Sequence, residues 1–524
     1  MLSNSDLIPA HPQGESISSP NSHALPALAT PESVPVDTPG GRVYVEWDPQ
    51  APLTPMGQLV FFTHFLQTAH LYDPWVEECP LVFTSPNAPK VRDLLGTGFL
   101  SILAGHQRYA HVTALRHDQV NPPLLGMSKV VSEDSLRRAF EGEAAATIEP
   151  WQRRHLKLSY EPLLYEPWIL DVDTTVKTLY GHQEGAEVGY NPHKKGRPSH
   201  VYHTYFMGAA RLALDVEIQP GKRNASLHSQ PGLWRFVDEL AQEARPWLVR
   251  GDCAFGHESL MASAEQRGQN FLFKLRLTRK PRDLIRQLER TGDWQEAGQG
   301  WEGRESVLRL QGWSCSRRVI ILRRKLAQPA ENLALGQRSQ LLLNWSGLFP
   351  VRGPSYEYAV LVTSLKEEIL TLAQLYRDRG DMENNFDELK NQWGWGGFVT
   401  KDLLRCQIAA RNIALIYNWW SLFARLVDPS KRREAITSRP MLLGAVARRT
   451  THAGQVSLTI TPAHGAAGKI QELLRRATTF LKGLMNTAEQ LTSTERWRQI
   501  LSKIFERQLG QRPLREPALV LASG

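Results

Sequence analysis

The chain has 524 residues, 42% of them hydrophobic, with 62 basic and 53 acidic side chains and a formal charge of +9. That length supports about two to four cores, and the mild basic excess fits a nucleic-acid partner without requiring one. Cys79, Cys253, Cys315 and Cys406 are far apart with no CxxC pair, which argues against structural zinc or a disulfide framework and for a reducing, cytosolic setting, and no apolar run reaches the roughly 20 residues that cross a membrane.

Residues 1–40 are rich in Pro, Ser and Ala and read as a disordered leader. Residues 41–150 read as mostly helical. Ser132 is placed to cap a helix in Ser132-Glu133-Asp134-Ser135-Leu136-Arg137-Arg138, either a plain capped helix or one that lies in a DNA groove. Strand signals follow in PWILDVDTTV (167–176), HVYHTYFM (200–207) and ARLALDVEI (210–218), the last two forming a hairpin. GLWRFVDELAQEA (232–244) is helix-periodic and PWLVRGDCAF (246–255) is a strand ending at Gly-Asp. HESLMASAEQRG (257–268) is a helix stopped by Gly268, and NFLFKLRL (270–277) is again a strand. Three strands followed by helix, strand, helix and strand make an α/β layout with a mixed sheet. Residues 279–355, rich in Arg and Trp, read as an inserted β-rich subdomain with strands at 316–326 and 340–349. The core then resumes with a strand at 356–365 and continues to a long apolar helix at 403–427. The remainder, 428–524, contains a basic helical stretch at 467–491 and is expected to be a helical C-terminal region.

The stretch QLYRDRGDMENNFDELKNQWGWGGF (374–398) carries mixed charge beside an apolar edge. On one continuous helix, Tyr376, Arg379, Glu383 and Lys390 fall within an arc of roughly 60°. The bland alternative is a helix with exposed ion pairs, each worth under about 1 kcal/mol. The wheel does not choose between Glu383 and Asp387. Gly380 in mid-helix suggests a close backbone approach, and WGWGGF reads as a helix stop with aromatic packing.

The spacing of Tyr376, two residues, Arg379, three residues, Glu383, six residues and Lys390 resembles the YREK signature of bacterial insertion-sequence DDE transposases, the insertion-sequence family four superfamily. Asp173-Thr174-Thr175 is similar to that family's first acid, and RGDCAFGHESLMASAEQRGQNFLFKLR (250–276) to its second-acid segment. DLLGTGFLSILAGHQRYAHVTALRHD (93–118) and LLGMSKVVSEDSLRRAFE (124–141) are similar to the N-terminal region of its thirteen-eighty-type branch. The resemblance spans roughly residues 45–425. It implies an α/β protein with an RNase H-like catalytic core, in parts 151–278 and 356–427, around the inserted subdomain 279–355. A helical N-terminal DNA-binding domain (41–150) and a helical C-terminal region (428–524), a possible dimer contact, would flank it.

The implied activity is cut-and-paste transposition, through a DNA hairpin, by two-metal phosphodiester chemistry. Asp173, Asp252 and Glu383 would be the catalytic metal ligands, holding two Mg²⁺ ions with Mn²⁺ able to substitute. Asp171, on the face of Asp173, competes for the first role, and Asp252 has an alternative as a turn residue. Tyr376, Arg379 and Lys390 would hold DNA phosphates. A Trp of the insert would stack a flipped base, with Trp294, Trp301, Trp313 and Trp345 as candidates and core packing as the alternative for each. The long loop 180–200, with His182, Gln183, Asn191, Lys194, Lys195 and Arg197, reads as a DNA contact or a solvated loop. The partners implied are transposon-end double-stranded DNA and target DNA, met by a homodimer on paired ends in the bacterial cytoplasm at the nucleoid, with no membrane. Competing readings are a catalytically silent transposase-derived DNA-binding protein, another RNase H-like nuclease, and a two-metal hydrolase of small phosphoesters.

Overall fold

The structure is a computed structural model that describes residues 33–192, 194–223, 225–326, 356–487 and 490–515. The chain divides into two compact units, residues 1–51 and 52–524. In the first, Val34–Thr38 and Gly41–Val45 pair as an antiparallel hairpin of exposed residues. This corrects the boundary at residue 40: alternating Val and Tyr on either side of Pro-Gly-Gly form strands where a leader and then helix are expected. Residues 1–32 lie outside the described residues.

The second unit opens on a short strand, Leu53–Thr54, which pairs with Val446–His452 and through it with Gln455–Thr461, a hairpin inside the C-terminal region expected to be helical; helices follow. Among them are α1 (Leu59–Thr68), α2 (Val91–Leu103), α3 (Glu133–Arg138) and α4 (Ala145–Leu158). Ser132 caps α3 as expected, accepting the Ser135 amide at 3.2 Å. Arg137 and Arg138 of that helix both pair with Asp134.

A ten-stranded sheet follows. Its first members are β1 (Ile169–Thr178), β2 (Glu187–Val188), β3 (Pro198–Met207) and β4 (Leu212–Pro220). Helix α5 (Gln230–Asp238) leads to β5 (Leu248–Gly251), α6 (Glu258–Gln266) to β6 (Phe271–Lys274), and α7 (Arg279–Glu289) to β7 (Gln295–Glu296), β8 (Trp301–Leu308) and β9 (Arg317–Lys325). Strand β10 (Tyr356–Thr363) completes it. The spatial order is β7-β8-β9-β10-β6-β5-β1-β3-β2, with β4 also on β3. Strands β5 and β6 run parallel to β1, and β3, β4 and β10 run antiparallel to their neighbours. The strand expected at 316–326, here β9, and β8, which the sequence reading does not offer, therefore continue the main sheet through β10; they do not close a sheet of their own. The expected strand at 340–349 lies outside the described residues.

Helices cover both faces. α8 (Ile369–Arg377) packs over the face shared by Leu248, Leu272, Ile320 and Leu361. It is followed by α9 (Gly380–Asn391) and by α10 (Leu403–Val427), which is buried over most of its length and lies along β4. The C-terminal α11 (Ala467–Met485) and α12 (Ser493–Ile504) point Ile470, Leu474, Leu481, Trp497 and Leu501 into the main core. Trp497 packs on Phe65 and donates to the Leu158 carbonyl at 2.9 Å. The apolar faces of both helices are thus packed within the chain. No helix among the described residues is long and apolar enough to cross a membrane.

Candidate active site

Strand β1 places Asp171, Asp173, Thr175 and Lys177 on one face, because side chains alternate along a strand. Strand β5 does the same for Arg250 and, just past its end, Asp252. The register sets Asp171 opposite Arg250 and Val172 opposite Gly251, so Asp252 leaves β5 where the parallel pairing ends, beside Asp173, which lies midway along β1. The two inner residues neutralise each other. Arg250 grips Asp171 with both ends of its guanidinium, at 2.5 and 2.7 Å, and both side chains are 2% exposed. Asp171 is therefore committed to a buried ion pair, which separates it from Asp173.

The two outer acids share the charge of Arg379 instead. Burial pushes the Asp173 carboxyl up to about 7, the like charge of Asp252 adds to this, and Arg379 and the Thr174 amide oppose it. Asp173 accepts from the Thr174 amide at 2.7 Å and from Arg379 at 2.9 Å. Asp252 accepts from the Ala254 amide at 2.8 Å. It is thus also the turn residue that the Gly-Asp pair suggests.

The segment that carries the four spaced residues is not one helix. α8 ends at Arg377 and α9 begins at Gly380, with Asp378 and Arg379 forming a tight turn in which the Arg379 amide bonds Tyr376. Arg379 at this break faces inward, 2.9 Å from Asp173 and 3.6 Å from Glu383. Its guanidinium lies 5.8 Å from the Tyr376 ring. Burial pushes the Tyr376 phenol up to about 12. Glu383 is 74% exposed. Its rival Asp387 accepts from Asn391 and belongs to the exposed side of α9. Lys390, half-buried at the far end of α9, has an ammonium lowered by burial and supported by the charges of Asp173 and Asp387. Gly380 opens α9, and a Cβ there would touch nothing within 4 Å, which corrects the expectation of a close backbone approach.

The loop after β1 presents Tyr180, 70% exposed, with Lys194 and Arg197 at 5.9 and 5.8 Å from its ring and Lys195 exposed nearby. Trp301 opens β8, five strands from β1, or about 24 Å across the sheet. Arg324 lies 4.9 Å from its ring. Arg323 covers Trp294 at 4.0 Å and Arg317 faces Trp313 at 5.2 Å. Trp345 lies outside the described residues.

Among the described residues no three Asp, Glu, His or Cys side chains gather closely enough to hold a metal ion. The donors still suit one. Asp173 and Asp252 are hard oxygen ligands whose mutual repulsion a divalent cation would relieve. Glu383 reaches the pair only through Arg379. Two residues of this environment escape a reading of the sequence, Arg250 and Lys177. The signal for both was the two-residue period running back from Asp252 and on from Asp173.

The family model described as transposase DDE domain group 1 matches residues 87–480. No curated protein matches the chain. A cryo-EM structure of the piggyBac transposase synaptic complex with hairpin DNA aligns over 87% of this chain and 87% of that one, at 10% identity and a TM-score of 0.36.

Proposed function

This chain belongs to the family of group 1 DDE transposase domains, and from that premise we propose that it binds transposon ends and excises and inserts them by cut-and-paste transposition, as a member of the YREK-signature group. The observation that carries the reading is the placement of Asp173 on β1 beside Asp252 at the end of the adjacent parallel β5, with Arg379 linking Asp173 to Glu383. The strand order β4-β3-β1-β5-β6, three antiparallel and two parallel, supports an RNase H-like core. In this reading residues 41–150 bind DNA, and α11 and α12 of the C-terminal region complete the core.

Asp173, Asp252 and Glu383 would hold two Mg²⁺ ions, with Mn²⁺ as a substitute. Bound there, the ions would activate the attacking oxygen and stabilise the leaving one. Arg379 stands between the acids and supplies a bidentate grip for the scissile phosphate. Burial keeps the Tyr376 phenol protonated, so its hydroxyl would donate to a phosphate. Lys390 adds a point charge. Lys194, Lys195 and Arg197 on the exposed loop meet the flanking duplex, and Trp301 or Trp345 is the candidate for stacking a base. The partners are transposon-end and target DNA, met by a homodimer on paired ends in the bacterial cytoplasm, with a DNA hairpin as the excision intermediate.

A second reading, a DNA-binding protein without catalysis, is favoured by one feature: Glu383 is exposed and no three ligands converge among the described residues. A cleavage assay separates the two. A labelled duplex bearing the element's own end is incubated with Mg²⁺, Mn²⁺ or EDTA and run on a denaturing gel. The transposase should nick at the element boundary only with metal, and Glu383→Ala should abolish the nick while end binding persists. Tight binding with no cut in either metal selects the silent protein.

A further inference from the structure

Lys177 is a buried cation that the proposed chemistry leaves unused. It shares the face of β1 with Asp173, four residues on and thus about 13 Å along the strand. It is 9% exposed. Its ammonium donates to the Gly397 carbonyl at 2.5 Å and lies 5.9 Å from the Tyr202 ring. Among the described residues the titratable groups acting on it are the Cys406 thiol and His200, not a carboxylate, and burial pushes the Lys177 pKa down to about 8. A buried ammonium with no anion costs free energy that a bound anion would return.

The surroundings point to where that anion sits. A cleft of about 190 Å³ is lined by Thr175, Lys177, Tyr202, Lys390, Asn391 and Trp395. Lys390 on its other wall interacts with Asp173. Thr178, which also lines the cleft, accepts the Asn191 side chain at 3.0 Å and so ties the Lys194 and Arg197 loop to its rim. Cations therefore follow one another away from Asp173: Lys390, Lys177, then Lys194 and Arg197.

We propose that Lys177 and Lys390 form a subsite for a backbone phosphate of the DNA strand being cut, next along the strand from the phosphodiester at Asp173. The proposal rests on the transposase reading and adds Lys177 as a positioning residue. A phosphate held in this cleft fixes the register of the strand, and with it which phosphodiester reaches Asp173 and Asp252.

The test couples the side chain to one phosphate. The probe is a duplex bearing the element's terminal sequence, with neutral methylphosphonates placed singly at positions near the cut. Binding by the full chain is measured in EDTA over a range of KCl, so it does not depend on cleavage. One methylphosphonate should weaken wild-type binding about tenfold, the effect of losing a charged hydrogen bond. Lys177→Met should weaken binding to the unmodified duplex by a similar factor and lower the salt slope by about one. The two changes together should cost no more than either alone. If the losses multiply at every position and the slope is unchanged, Lys177 holds no phosphate. Thermal melts check folding, and Lys177→Gln replaces the Met variant if that one unfolds. A wild-type protein that binds but never cuts, with either metal, overturns the transposase reading while the coupling result still decides the phosphate contact.

Discussion

Asp173 is a single side chain whose burial on this sheet costs the fold stability. Its carboxyl ionises near 3.8 in the unfolded chain and only at about 7 in the folded one. Between those values the folded state holds the extra proton, so stability falls as pH rises through the window, and the full cost is present above about 7. Asp173→Asn should therefore raise the melting temperature of the metal-free protein clearly at pH 8 and much less at pH 5. Mg²⁺ should stabilise the wild type more at pH 8 than at pH 5, because the ion displaces a proton at the lower pH. Scanning calorimetry at the two pH values checks both, and a gain for Asp173→Asn that is equal at both would remove the assigned cause. Asp171, two residues away, behaves differently for a reason outside the strand. Arg250 holds it, and breaking such a buried pair costs about 3–5 kcal/mol.

Two elements carry features that propensity alone does not predict. The break between α8 and α9 turns Arg379 inward, and Gly380 just beyond it has open space around its Cα. Gly380→Ala should be tolerated and should stabilise by about 0.4–1 kcal/mol through the unfolded chain. A loss in a urea titration would mean that the turn needs glycine after all. Strand β4 is an edge whose outer backbone groups are matched by amides from α10. Asn418 accepts from the Ala213 amide at 2.9 Å and donates to its carbonyl at 2.7 Å. Gln407 does the same for the Ile218 amide and the Val216 carbonyl, at 2.5 and 2.6 Å. These side chains imitate a neighbouring strand and cover an edge that would otherwise template pairing. Asn418→Leu leaves both Ala213 groups buried and unpaired and should cost about 2–6 kcal/mol, at about 1–3 kcal/mol per group. A midpoint unchanged in urea would contradict that role.

Across the whole molecule, one sheet links the acids to the Arg- and Trp-rich segment. Trp294, Trp301 and Trp313 are each engaged by an arginine there. Helices from both ends of the chain share one core, since Phe62 and Phe65 of α1 meet Trp420 and Phe423 of α10, and Trp497 of α12 closes on Phe65. The sequence by itself determined the elements whose signals are local. The apolar alternation of β1, β3 and β4, the helix at 403–427, the cap at Ser132 and the aromatic stop at Trp393 and Trp395 are all set by neighbours in the chain. It also offered Asp173, Asp252 and Glu383 as candidate acids, through the strand pattern and the family spacing. Only the tertiary structure decided which charges meet. Arg250 chooses Asp171 over Asp173 because the parallel register of β5 on β1 brings it there, Arg379 reaches Asp173 across 206 residues, and Lys177 is left buried without a carboxylate. Side-chain periodicity fixes the face on which a residue lies, whereas its charge partner depends on strand register and helix placement, which short windows of sequence do not encode.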